Sequence, residues 1–163
     1  MISLEPTAES LHDLDTFLKQ LQQLGDPPPA AVEAVQTAIR GGFAQVFASE
    51  GAAGAAPWAQ LAAATQRERE RLGFPPAHPI LVRTGDYRAS FTDAGHADHI
   101  SEWSAGGGVW RIAEGSSDYR AKYHEPGGDI IPRRSVTALG AGIEAQIGAA
   151  LDQLFLEWFK WKG

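Results

Sequence analysis

The stretch Tyr123 to Ser135, YHEPGGDIIPRRS, brings a histidine, a glutamate, an aspartate and two arginines into one short span. His124 beside Glu125, with Asp129 close by, supplies imidazole and carboxylate, the parts of both metal sites and acid-base pairs. Adjacent side chains diverge on any regular element, so chelation by His124 and Glu125 demands a special loop geometry. Gly127 and Gly128 permit a turn with positive φ and Pro132 stiffens its exit, which presents Arg133 and Arg134 at a fixed place. A guanidinium fork binds carboxylates two bonds at a time, so the same loop also suits docking onto the acidic surface of a neighbouring copy. Two chemistries therefore stand side by side here: a small metal-dependent hydrolase centred on His124 and Glu125, and a docking loop.

Other signals narrow the field. Gly106-Gly107-Gly108 lacks the Lys-Ser or Lys-Thr and the helix that a phosphate loop requires. His96 and His99 would point to opposite faces of a strand, wrong for one shared metal. Neither a Gly-X-Ser-X-Gly elbow nor a His-Glu-X-X-His helix is present. The expectation is a non-enzyme without cofactor or metal. There is no cysteine, hence no disulfide and no thiolate site. A net charge of -6 argues against a nucleic-acid-binding surface. The acidic start, and the lack of any run of about 18 apolar residues, predict neither a secretory leader nor a membrane span, and a cytoplasmic chain.

The elements that must position these residues follow from periodicity. Leu11, Leu14, Leu18 and Leu21 predict an amphipathic helix over Ser10 to Leu24. Pro27-Pro28-Pro29 then open a second helix, with Val32, Val35, Ile39, Phe43, Val46 and Phe47 inward, ending near Glu50. A small-residue loop leads to Trp58 and to a polar helix in AAATQRERERLG. His96 to Ser104 and Val109 to Ala113 predict a hairpin, and Ile130-Ile131 the start of another strand. The last helix, about Gly140 to Phe159, carries Ile143, Ile147, Leu151, Leu154, Phe155 and Trp158 on one stripe, and its aromatic tail, Trp158 and Trp161, is expected to meet a partner. This is a single α+β domain over 1–163, a small antiparallel sheet covered by N-terminal and C-terminal helices. Its parts are N-terminal helices (1–50), loop and polar helix (51–79), sheet and docking loop (80–135) and C-terminal helix (136–163).

Several motifs succeed one another along the chain. Phe47, Gly54, Trp58, Leu61 and Thr65 come first, then Pro79-Ile80-Leu81-Val82-Arg83-Thr84-Gly85-Asp86-Tyr87-Arg88-Ala89-Ser90-Phe91. The strand pair follows, then Tyr119 or Tyr123 with His124 and Gly127, then Ile131, Pro132 and Arg134 before the last helix. This order resembles the bacteriophage virion-morphogenesis or tail-completion proteins found in the necks of tailed phages. Tyr87 stands where that pattern has leucine, and Glu125-Pro126 where it has glutamine and an aromatic.

The resemblance implies a structural virion protein of the head-tail connection, assembled in the bacterial host cytoplasm, that completes or terminates the tail and joins it to the head. As a homo-oligomeric ring, a hexamer to match a tail tube, it would contact other neck and tail-tube proteins and let DNA pass without specific binding, with no membrane role. An acidic chain suits such a bore, since a basic one would hold phosphate. The expected interface residues are Arg83, Thr84, Arg88, Tyr123, His124, Arg133, Arg134, Trp158 and Trp161. An α+β regulatory binding module is the alternative.

Overall fold

The computed structural model describes residues 27–75, 79–106 and 109–162, the last four of these as backbone. The described elements are helices α1 (Pro29–Ala48), α2 (Ala63–Arg71) and α3 (Asp86–Thr92), strands β1 (His99–Gly106) and β2 (Val109–Ser116), the single turn α4 (Ala121–His124) and helix α5 (Ala141–Lys162). The helix expected over Ser10 to Leu24, with Leu14 and Leu18, lies outside the described residues.

Helix α1 starts where the prolines place it, with Pro28 at the cap and Pro29 in the first turn, a position whose N–H has no helical partner to lose. Its stripe of Val32, Val35, Phe43, Val46 and Phe47 is buried as the spacing predicts. Gly42 lies on the face that meets α5. A methyl group there would stand 2.5 Å from Ile143 Cγ2, so the absent side chain lets the two helices touch. Around this contact Phe47 meets Trp58 edge-on at 5.6 Å between ring centroids, and Phe43 meets Phe91 at 5.5 Å. Such pairs add to the stabilisation from apolar burial alone.

The fold is α+β. Strands β1 and β2 form a two-stranded antiparallel sheet in register from His99 opposite Ser116 to Gly106 opposite Val109. Along β2, half-buried Trp110 and Ile112 alternate with exposed Val109, Arg111 and Ala113, the period-two signature of a strand covered on one side. Trp110 and Ile112 pack on a small cluster of Ala31, Val35 and Leu154, so α1 and α5 both reach the sheet.

Three local expectations change. The first strand begins at His99 rather than His96, because the amide N–H groups of His96 and His99 close successive turns onto Asp93 O and His96 O, both at 3.0 Å. Ile130-Ile131 form a loop, not a strand. On α5 the inward stripe runs through Ile143, Ile147, Ala150, Leu154 and Trp158. Leu151 lies one residue, about 100°, around from Ala150 and is 36% exposed.

One polar cluster lies between α1, α3 and the hairpin, with Glu114 and His99 buried in it. The Glu114 carboxylate, with its side chain 0% exposed, faces His99 Nε2 at 2.8 Å, accepts from Ser101 Oγ at 2.6 Å and from Arg40 at 3.3 Å. His99 Nδ1 lies 3.0 Å from the Ser90 carbonyl. A carbonyl only accepts, so Nδ1 is the donor in that contact.

Candidate partner-docking site

The loop after α4 is stitched to itself at its base. Glu125 accepts from Val136 N–H at 2.8 Å and from the hydroxyls of Ser135 and Thr137 at 2.5 and 2.7 Å. Arg134 N–H donates to His124 O at 2.8 Å, and Gly128 N–H to Ile131 O at 2.8 Å. Gly127 sits at φ 69°, and a Cβ there would come within 2.6 Å of Arg133 N, so glycine is required on both conformational and spatial grounds. At the tip Asp129 is exposed and Ile130 is 93% exposed.

This arrangement removes part of the expected docking set. Arg134 is 6% exposed and donates to the carbonyls of Ala59 and Gln60 at 3.0 and 3.2 Å, so it ties two stretches of its own chain together. Its position at a loop base, rather than at the tip, is the reason. Arg133 remains exposed, with Nε on Glu125 O at 3.1 Å. Glu125, with both oxygens occupied by this turn, is held as a local clamp rather than beside His124 as an acid-base partner.

A cleft of about 240 Å³ opens next to α4. Helix α2, with no buried residue, forms one wall through Thr65, Glu68 and Arg69, extended by Leu72 at its C-cap. Leu81, Arg83 and Thr84 form another, and Tyr87, Arg120 and His124 close it. The cap residue of α3 is Gly85, at φ 82°, with no side-chain bond, so the Thr84 hydroxyl does not cap this helix.

The charges around the cleft differ in how they are held. Arg120 is anchored by Asp118 and, at 2.5 Å, by Asp86, and lies 5.2 Å from the Tyr87 ring centroid. Those bonds, Asp118 first, raise its pKa and lower that of Asp86. Glu68 is paired with Arg71 at 2.7 Å. Arg83 is exposed and forms no ion pair among the described residues. Arg69 donates to Pro79 O at 3.0 Å, and its pKa is lowered by burial and then by the like charge of Arg83. The rim is therefore positive, while Leu72, Leu81 and the Tyr87 ring make the walls apolar.

Behind these walls two polar atoms have no hydrogen-bond partner among the described residues: the Tyr87 hydroxyl and His124 Nδ1. Their rings are 6.0 Å apart. Burial is the main force on both. It pushes the Tyr87 pKa up, helped by Glu125 and Asp118, and pulls that of His124 down, helped by Arg134. Both side chains are neutral at pH 7.

Of the residues singled out from sequence, Arg83, Thr84 and His124 meet at this cleft. Arg88 is exposed on α3 away from it, and Tyr123 is exposed under the Lys122 ammonium at 4.9 Å. Trp158, expected to face a partner, is buried against Trp110 at 4.5 Å because the inward stripe of α5 ends on the sheet. The Trp161 side chain lies outside the described residues. Sequence reading missed Tyr87 as a buried phenol, Arg120 and Leu72. Only Arg120 carried a local signal, an aspartate two residues before it whose carboxylate accepts its N–H at 2.8 Å.

Comparison with protein-family models, curated proteins and solved structures finds no match to this chain. Among the described residues no group of three or more His, Cys, Asp or Glu could hold a metal ion. No described helix is long and apolar enough to cross a membrane.

Proposed function

We propose that this protein is a structural part of the head-tail connection of a tailed phage, where copies form a ring that completes the tail and joins it to the head. The motif order described above is the origin of this reading. The structural observation that supports it is large apolar side chains exposed on well-anchored elements: Ile130 on the stitched loop, and Leu151 and Leu156 on α5. A monomer leaves scattered apolar residues exposed, but a fully exposed isoleucine on a loop clamped at its base is costly to solvate and ready to bind without ordering cost. Ring contacts supply such a partner, with one patch meeting a different patch on the next copy. In this reading the ring is a hexamer that also touches other neck and tail-tube proteins, and its acidic chains let DNA pass unbound.

The hydrolase reading loses its second group, since the Glu125 carboxylate is fully engaged by the 135–137 turn. Electron microscopy of negatively stained protein, alone and mixed with isolated phage tails lacking their terminator, tests the proposal. Rings or occupied tail ends are expected. Particles that are neither ring-shaped nor tail-bound under any of these conditions would sink it.

A further inference from the structure

We infer that the tip of the loop in one copy seats in the cleft of another copy, with Ile130 against Leu72, Leu81 and the Tyr87 ring, and Asp129 facing Arg83. The inference rests on the reading of a self-assembling chain and names its contact. Its grounds are complementarity. The tip offers a nearly fully exposed apolar side chain next to an exposed carboxylate that forms no ion pair among the described residues. The cleft offers apolar walls below a rim where Arg69 already feels the Glu50 carboxylate but exposed Arg83 forms no ion pair among the described residues, so an incoming carboxylate is matched there. In a chain of net charge -6, copies repel at long range, so a local cationic rim selects the orientation in which they meet.

Size and stiffness agree. A cleft of about 240 Å³ is smaller than the roughly 300 to 1,000 Å³ of small-molecule pockets and suits one inserted side chain. Gly127 and the Glu125 clamp hold the loop shape before contact, so little conformational freedom is lost on docking. Loop and cleft are different patches, so the contact is heterologous and propagates head to tail until rotation closes a ring.

The test uses the full chain. Ile130→Asp breaks the tip and Leu72→Arg breaks the cleft. Both sites are exposed, so circular dichroism is expected to show an unchanged fold. Light scattering should show assembly of the parent chain and roughly thirty-fold or greater weakening in each variant, as for a central interface anchor. Mixing the two variants should restore one intact contact and give one-to-one heterodimers that grow no further. Because the chain has no cysteine, a variant carrying Ile130→Cys and Leu72→Cys should link only through this contact, forming inter-chain disulfides on oxidation. Variants that assemble like the parent, a mixture that stays monomeric, or a cysteine pair that never links chains would each overturn the inference. Rings that persist in both variants would leave the neck reading standing without this contact; heterodimers and links without rings or tail binding would leave the contact and remove the neck reading.

Discussion

Two regions of this molecule hold polar atoms shielded from water, and they are built on opposite principles. In the cluster of Glu114, His99, Ser101 and Arg40, each of these side chains meets at least one hydrogen-bonding partner within the cluster. At the corner of Tyr87 and His124, two buried polar atoms face no partner among the described residues. A satisfied buried network fixes how α1, α3 and the hairpin sit together, whereas unsatisfied atoms cost their full desolvation and stabilise nothing. The costly corner adjoins the cleft where a partner is proposed to dock, and the satisfied cluster lies away from it. Stability and recognition are thus assigned to different buried polar groups.

This contrast can be broken most decisively at Glu114. Glu114→Ala leaves His99 buried without its anion, while Arg40 keeps Glu33 at 2.5 Å, and is expected to lower unfolding free energy by about 3 kcal/mol in urea titration. A loss below about 1 kcal/mol would show that the cluster does not hold the fold together. The loop arginines sharpen the point at intermediate size. Arg134→Ala should cost about 1 to 3 kcal/mol by removing a buried side chain together with its bonds to the Ala59 and Gln60 carbonyls, while Arg133→Ala should stay within about 0.5 kcal/mol. Equal effects at the two positions would contradict the division between loop base and exposed loop.

Tyr87→Phe is expected to act in the other direction, raising the thermal midpoint, because it deletes a buried hydroxyl that has no partner while the ring keeps its place, worth up to about 1 kcal/mol. A clear drop in stability would mean that the hydroxyl is bonded after all. The smallest effect concerns pH. The folded pKa of His124 lies below the ordinary value of 6.5, so on acidification the unfolded chain takes up this proton first. Stability contributed by neutral His124 is complete above 6.5 and is lost as pH falls from there through its folded pKa. His124→Gln should flatten that part of the stability-pH curve, measured against the parent; an unchanged slope would show that burial does not perturb this histidine.

Much of the scaffold was legible in the residues themselves. The prolines before Ala30, the three-and-four spacing from Val32 to Phe47 and the alternation around Trp110 are local signals, and α1 and the hairpin followed them within a few residues. The polar run of arginines and glutamates became a solvated helix for the same reason. These elements depend on the chain's nearest neighbours in sequence, where period and turn chemistry act directly. The candidate site depended on contacts that no local pattern encodes. Arg134 and Arg133 are chemically identical and adjacent, yet one is buried on carbonyls 75 and 74 positions away and the other faces solvent. Trp158 was read as a partner residue, but the sheet it covers begins about sixty positions earlier in the chain. Sequence by itself determined the helix after the prolines, the polar helix, the hairpin and the last helix, and which side chains are able to dock. Only the tertiary structure decided which of those side chains remain outside, because burial is set by what distant segments bring alongside them.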